Sequence, residues 1–132
     1  MKWHYLLVGA LFVVSCQDKE SFKKADDAEE AGTEFIRASL DGNYDKAKFF
    51  LYKDSANFNL RVLDKWKAAY DAMNNTEKSN YHAASIRPTK IEPSSDSTTW
   101  SYTYYNSYKK DTTTIRVLKV NDDWLVDLRD LH

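Results

Sequence analysis

The chain has 132 residues, with 19 lysines and arginines against 20 aspartates and glutamates and a formal net charge of −1. That length suits one domain with a real core, and the charge balance holds no basic excess to suggest nucleic acid. One cysteine excludes an intrachain disulfide, and three glycines leave no glycine-rich phosphate loop.

Lys2 supplies a positive start, Trp3 to Val14 is a nearly unbroken apolar run, and small Ser15 precedes Cys16, the only cysteine. A run of about twelve falls short of the roughly 20 residues of a transmembrane helix and has the length of a secretory h-region. Val13-Val14-Ser15-Cys16 resembles the lipobox of a bacterial lipoprotein signal peptide. The resemblance implies that residues 1–15 are a signal peptide and that Cys16 is the lipid-attachment site. Several acyl chains on one residue make a stable anchor. An ordinary cleaved signal with Cys16 merely nearby is the alternative. Lipidation would occupy the one thiol and remove thiol catalysis and cysteine-metal chemistry. Gln17, where aspartate would resemble an inner-membrane retention signal, points to the outer membrane of a Gram-negative bacterium. Gln17-Asp18-Lys19-Glu20 is loosely similar to surface-export tags of such lipoproteins. Cleavage takes one base, Lys2, from a net charge of −1, leaving 117 residues at −2.

Residues 16–26 read as the lipidated cysteine and a charged tether, and residues 27–132 as a single domain. The first helix is expected from about Asp27 to Leu40, with Ala28, Ala31, Phe35 and Ile36 on one face. Asp41-Gly42-Asn43 ends it, with Gly42 suited to the left-handed stop position. A second helix follows from about Tyr44 to Tyr52 and buries Ala47, Phe50 and Leu51. A third runs from about Ala56 to Asn74, capped by Asp54 or Ser55. Its Phe58, Val62, Leu63, Trp66, Ala69, Tyr70 and Met73 give the strongest helical periodicity in the chain. Thr76 is expected to cap one more turn, through about Ala83.

From Ser85 the period is two. Ser85 to Glu92 is a strand that Pro88 confines to an edge or a bulge. Ser97 to Tyr108 places Trp100, Tyr102 and Tyr104 on one face. Thr112 to Val120 returns antiparallel, and its two apolar pairs, Ile115/Val117 and Leu118/Val120, differ in parity. That predicts a bulge or burial on both faces. Asn121-Asp122 makes a tight hairpin, and Trp124, Val126 and Leu128 share a face of the last strand. Helices followed by hairpin-linked strands predict an α+β fold. Three N-terminal helices would pack against a curved four-stranded antiparallel sheet, with the sheet wrapping the long third helix.

Asp41-Gly42-Asn43-Tyr44-Asp45-Lys46-Ala47, the long aromatic-bearing helix and Asn121-Asp122-Asp123-Trp124-Leu125-Val126-Asp127 are similar to uncharacterised bacterial lipoproteins of the nuclear transport factor 2-like superfamily, of cystatin-like fold. The resemblance covers about Ala25 to Leu131. It implies a cone, in which a curved sheet surrounds a long helix and leaves a pocket at the open end. Relatives of ketosteroid isomerase-like or dehydratase-like type are enzymes; many others bind ligands or partners, so fold leaves function open.

An isomerase or dehydratase would need a pocket Asp or His with a donor such as Tyr. His132 is terminal, and His82 lies in a helix-to-strand connection beside Tyr81. Neither belongs to a catalytic pattern, and no catalytic residue is assigned. No His, Asp or Glu spacing suits a metal, and no cofactor is implied. The aromatic set is the candidate site: Trp66, Tyr70, Trp100, Tyr102, Tyr104 and Trp124 would line a cone pocket for an amphipathic or sugar-like ligand. The competing reading is an ordinary core rimmed by tyrosines with cross-strand pairing. Lys23-Lys24 and Lys109-Lys110 are too short for a lipid or nucleic-acid patch. Asp54-Ser55-Ala56, Asp96-Ser97-Thr98 and Asp111-Thr112-Thr113 are similar to an O-glycosylation triplet of some Gram-negative envelope proteins. The sequence thus points to a lipid-anchored envelope protein that binds a small ligand or an envelope protein without catalysis. A small lyase or isomerase is the alternative, and a homodimer through the exposed sheet face is a further arrangement.

Overall fold

The change of period at Ser85 divides the molecule as expected. In the computed structural model, which describes residues 21–131, four helices precede four strands. They are α1 (Ala28–Leu40), α2 (Tyr44–Phe49), α3 (Phe58–Asp71), α4 (Asn75–Ala83), β1 (Ile86–Pro93), β2 (Thr99–Asn106), β3 (Asp111–Val120) and β4 (Asp123–Asp127). The strands form one antiparallel sheet in the order β1-β2-β3-β4. The segment expected to be a signal peptide, Cys16, the start of the expected tether and His132 lie outside the described residues. Residues 21–26 are held on the domain: Phe22 packs on Phe49 with ring centroids 5.7 Å apart, Lys24 pairs with Asp123 at 2.8 Å, and Ala25 is buried.

Local chemistry explains the helix ends. The Asp27, Asn43 and Asn74 side chains accept from Glu30, Lys46 and Glu77 backbone N–H groups and start α1, α2 and α4. Asp54 caps α3 by accepting from both Phe58 and Asn59 at 2.9 Å. Gly42 adopts φ +76 between α1 and α2, and a Cβ there would lie 2.6 Å from the Tyr70 ring. The expected three helices are corrected to four. α4 is a nine-residue helix capped by Asn74, rather than one turn capped by Thr76. Its last carbonyls are satisfied from outside: the Arg37 guanidinium of α1 donates to Tyr81, His82 and Ala84.

The second correction concerns the core. The sheet packs on α1, not on the strongly periodic α3. α1 presents Ala28, Ala31, Gly32, Phe35, Ile36 and Ala38, all buried, against Tyr102, Ile115, Val117 and Val126. Its small residues let a helix sit close to a sheet face crowded with aromatics. Tyr102 lies over Gly32, and its hydroxyl bonds Thr33 Oγ1 at 2.7 Å. Along α3 only Asn59 and Leu63 are fully buried, and Phe58, placed in its apolar stripe, is exposed.

Pro88 is followed by a register shift before Lys90, so β1 is both an edge strand and bulged. The β2–β3 and β3–β4 registers are unbroken. The parity change in β3 therefore involves no bulge; Leu118 and Val120 are half-buried on the face opposite Ile115 and Val117. Asn121 and Asp122 both take positive φ, 50 and 67, as the tight hairpin requires. Phe50 and Tyr52 cover the free edge of β4 through backbone bonds of 2.7 and 2.8 Å to Val126. Among the described residues the core cluster runs from Ala25 to Leu128, so this segment carries an apolar interior.

Candidate functional site

A cleft of about 310 Å³ opens between α3 and the turn end of the β2–β3 hairpin. Trp66, Ala69, Tyr70 and Met73 of α3 form one wall. Tyr104, Asn106 and Thr113 form the other, and Ile36, Ser39 and Leu40 of α1 lie between them. Tyr44, Tyr81 and Leu131 close the ends, and Lys109 and Asp111 stand on the exposed rim. The cleft exists because α1 fills the space against the sheet further along, while α3 rests on the helices: Trp66 packs on Phe35 at 5.9 Å and Tyr70 on Tyr44 at 5.9 Å.

Its tyrosines are neutral hydrogen-bonding groups on apolar bodies. The Tyr44 hydroxyl donates to the Trp66 carbonyl at 3.2 Å, and its pKa is pushed up to about 12, chiefly by burial. Burial raises Tyr104 likewise. Ser39 Oγ donates to the Phe35 carbonyl, one turn earlier. Asn106 is 3% exposed. Its Oδ1 accepts from Tyr108 and Lys109 backbone N–H groups at 2.9 and 3.1 Å, which locks the amide in one orientation. Its Nδ2 has no hydrogen-bond partner among the described residues.

Of the six aromatic residues expected to line a pocket, Trp66, Tyr70 and Tyr104 line this cleft. Trp100, Tyr102 and Trp124 are elsewhere. Tyr102 is fully buried under α1, with its pKa pushed up to about 12 by burial against the opposing Thr33 hydrogen bond. Trp100 and Trp124 meet edge to face at 6.1 Å, and Trp100 Nε1 is buried without a partner among the described residues. Trp124 also lines a hollow of about 50 Å³ with Lys24 and Phe49, and Lys119 lies over its ring. The cause of the split is position along the strands: Tyr104 and Asn106 share a face with Tyr102 but lie nearer the turn, past the part that α1 covers. Sequence reasoning missed Tyr44, Tyr81 and Asn106. The signal for Asn106 was an Asn at a strand end two residues before a Tyr-Lys-Lys turn.

His82 is exposed; its Nδ1 pairs with Asp41 at 2.7 Å, and the same carboxylate binds Arg37 at 2.9 Å. The three Asp-led triplets serve turns and caps as well. Asp54 is the α3 cap, Asp96 binds the Ser94 and Thr98 hydroxyls in the β1–β2 turn, and Asp111 begins β3. No group of three or more His, Cys, Asp or Glu among the described residues could hold a metal ion, and no described helix is long and apolar enough to cross a membrane. Compared with models of known protein families, with curated proteins and with solved structures, the chain matches none.

Proposed function

We propose that this is a lipid-anchored envelope protein of a Gram-negative bacterium, held by Cys16, whose domain is a cone of the nuclear transport factor 2-like kind that binds a small amphipathic ligand in the cleft beside α3. The observation that carries the binding reading is the make-up of the cleft. Trp66, Met73, Ile36 and Leu40 give an apolar interior, tyrosines and one amide give fixed polar points, and the charged groups stand on the rim. This composition favours binding over the lyase or isomerase alternative. That chemistry calls for a carboxylate or imidazole held inside, whereas Asp111, the acidic residue of the lining, is exposed.

The cleft is tested by calorimetric titration of indane, an apolar bicycle, into the chain from Gln17 to His132, which contains the core of the described residues. Submillimolar binding is expected, and Ala69→Trp, which fills the cleft from an exposed position of α3, abolishes it. Binding that survives Ala69→Trp places the ligand elsewhere.

The anchor is tested by Cys16→Ala, which removes lipid labelling and leaves the protein out of the membrane fraction. Retention of a covalent lipid by that variant would refute the lipobox reading.

A further inference from the structure

We infer that the cleft selects a neutral ring-shaped ligand carrying a carbonyl oxygen, received by Asn106 Nδ2. This rests on the cleft-binding reading above and names the chemistry of its ligand. Asn106 is 3% exposed and lines the cleft, yet its NH₂ group has no hydrogen-bond partner among the described residues. The nitrogen is not among the fully buried atoms that lack a partner, so it opens onto the cleft, where water meets it and a ligand acceptor can take the water's place. The amide cannot rotate to hide it. Its oxygen is held by the backbone N–H groups of Tyr108 and Lys109, so the nitrogen is the end left to meet a ligand.

Of the other polar groups of the wall, Tyr44 donates to Trp66 and Ser39 donates back to Phe35, while the Tyr70 and Tyr81 hydroxyls can turn to donate or to accept. The Asn106 NH₂ is the donor fixed in direction, and it calls for an acceptor brought in by the ligand. Trp66, Met73 and Leu40 call for a flat apolar body beside that acceptor. Lys109 and Asp111 place opposite charges on one rim, so neither sign of ligand charge is favoured, and a neutral carbonyl fits better than a carboxylate.

The test compares 1-indanone with indane, which differ by the carbonyl alone, on the Gln17–His132 chain. The ketone is expected to bind about five-fold more tightly, the size of one net hydrogen bond. In a spectrum of the ¹⁵N-labelled chain, the Asn106 side-chain amide signals should move with 1-indanone and stay with indane. Asn106→Asp keeps an oxygen for the Tyr108 and Lys109 N–H groups but replaces the donor by an acceptor. It should abolish the ketone preference, read as the ratio of the two affinities in the same variant. Equal binding of the two compounds by the native chain, or a ketone preference that persists in Asn106→Asp, overturns the assignment of Asn106 while the cleft reading stands. Failure of both compounds to bind overturns both. The native-chain comparison and the amide signals decide the matter even where the variant folds poorly.

Discussion

Replacing Asn59 with alanine is expected to lower the unfolding free energy by about 3 kcal/mol, because it leaves several buried polar groups without partners at once. The Asn59 side chain is the junction between α3, the segment after α2 and the last strand. Its Nδ2 donates to the Tyr52 carbonyl at 2.9 Å and to Asp127 Oδ1 at 3.1 Å, and its Oδ1 accepts from the Leu128 N–H at 2.8 Å. Asp127 is fully buried and is held in addition by Arg129, whose guanidinium approaches to 2.8 Å. Denaturant unfolding of the variant measures the loss. A cost below about 1 kcal/mol, the level of an ordinary surface change, would show that water satisfies the same groups.

The same network makes stability depend on acid. Burial alone would raise the Asp127 carboxyl. The Arg129 guanidinium and backbone N–H, together with the Asn59 amide, outweigh it and hold the carboxyl below its ordinary 3.8. A group lowered in the folded state contributes fully above the unfolded value and loses that contribution as pH falls through the folded one. Stability should therefore be flat near neutrality and decline below about pH 4, where the carboxylate takes up its proton. Asp127→Asn should make that decline shallower while lowering stability at pH 7. An unchanged acid slope would assign the decline to other carboxylates, of which Asp54, lowered mainly by the Asn59 backbone N–H, is the nearest.

Gly32→Ala should destabilise the fold by about 2 kcal/mol, against the gain of up to about 1 kcal/mol that this change gives in an exposed helix. The added Cβ would stand 2.8 Å from the Tyr102 ring. That ring has nowhere to move: Tyr102 is fully buried, bonded to Thr33 and packed against Tyr104 at 5.8 Å. Pairing the change with Tyr102→Ala, which removes the ring, should relieve the penalty, so the double variant is less impaired than the two single costs added together. A stabilising effect of Gly32→Ala in the native background would mean that α1 does not approach the sheet as closely as described.

These two sites show how unevenly the sequence announces its structure. The division into helices and strands, the hairpins, the Gly42 stop and the Asp54 cap were legible because they depend on neighbours in the chain. Asp54, Gly42 and the Asn121-Asp122 pair act within a few residues of themselves, whereas the Asp27 and Asn43 caps were not named and the α4 cap was placed on Thr76 instead of Asn74. The choice of core helix was misread. α3 carries the larger apolar side chains, Trp66, Tyr70 and Met73, but α1 is the more amphipathic of the two helices. α1 presents small residues, its alanines and Gly32, to the sheet, and their value shows only when a sheet is brought against them. Asn59 was likewise silent, since an Asn one step from an apolar stripe has no signature until Asp127 and Leu128 arrive from the far end of the chain.

The sequence by itself determined the α+β order, the charged balance, the positions of the turns and the apolar run before Cys16, because each is a matter of composition or of contacts a few residues apart. Only the tertiary structure decided which aromatics are core and which line the cleft. Tyr102 and Tyr104 are two residues apart on one strand face and identical in kind. The first is sealed by Gly32 and the second opens onto the cleft, because α1 covers only part of that face.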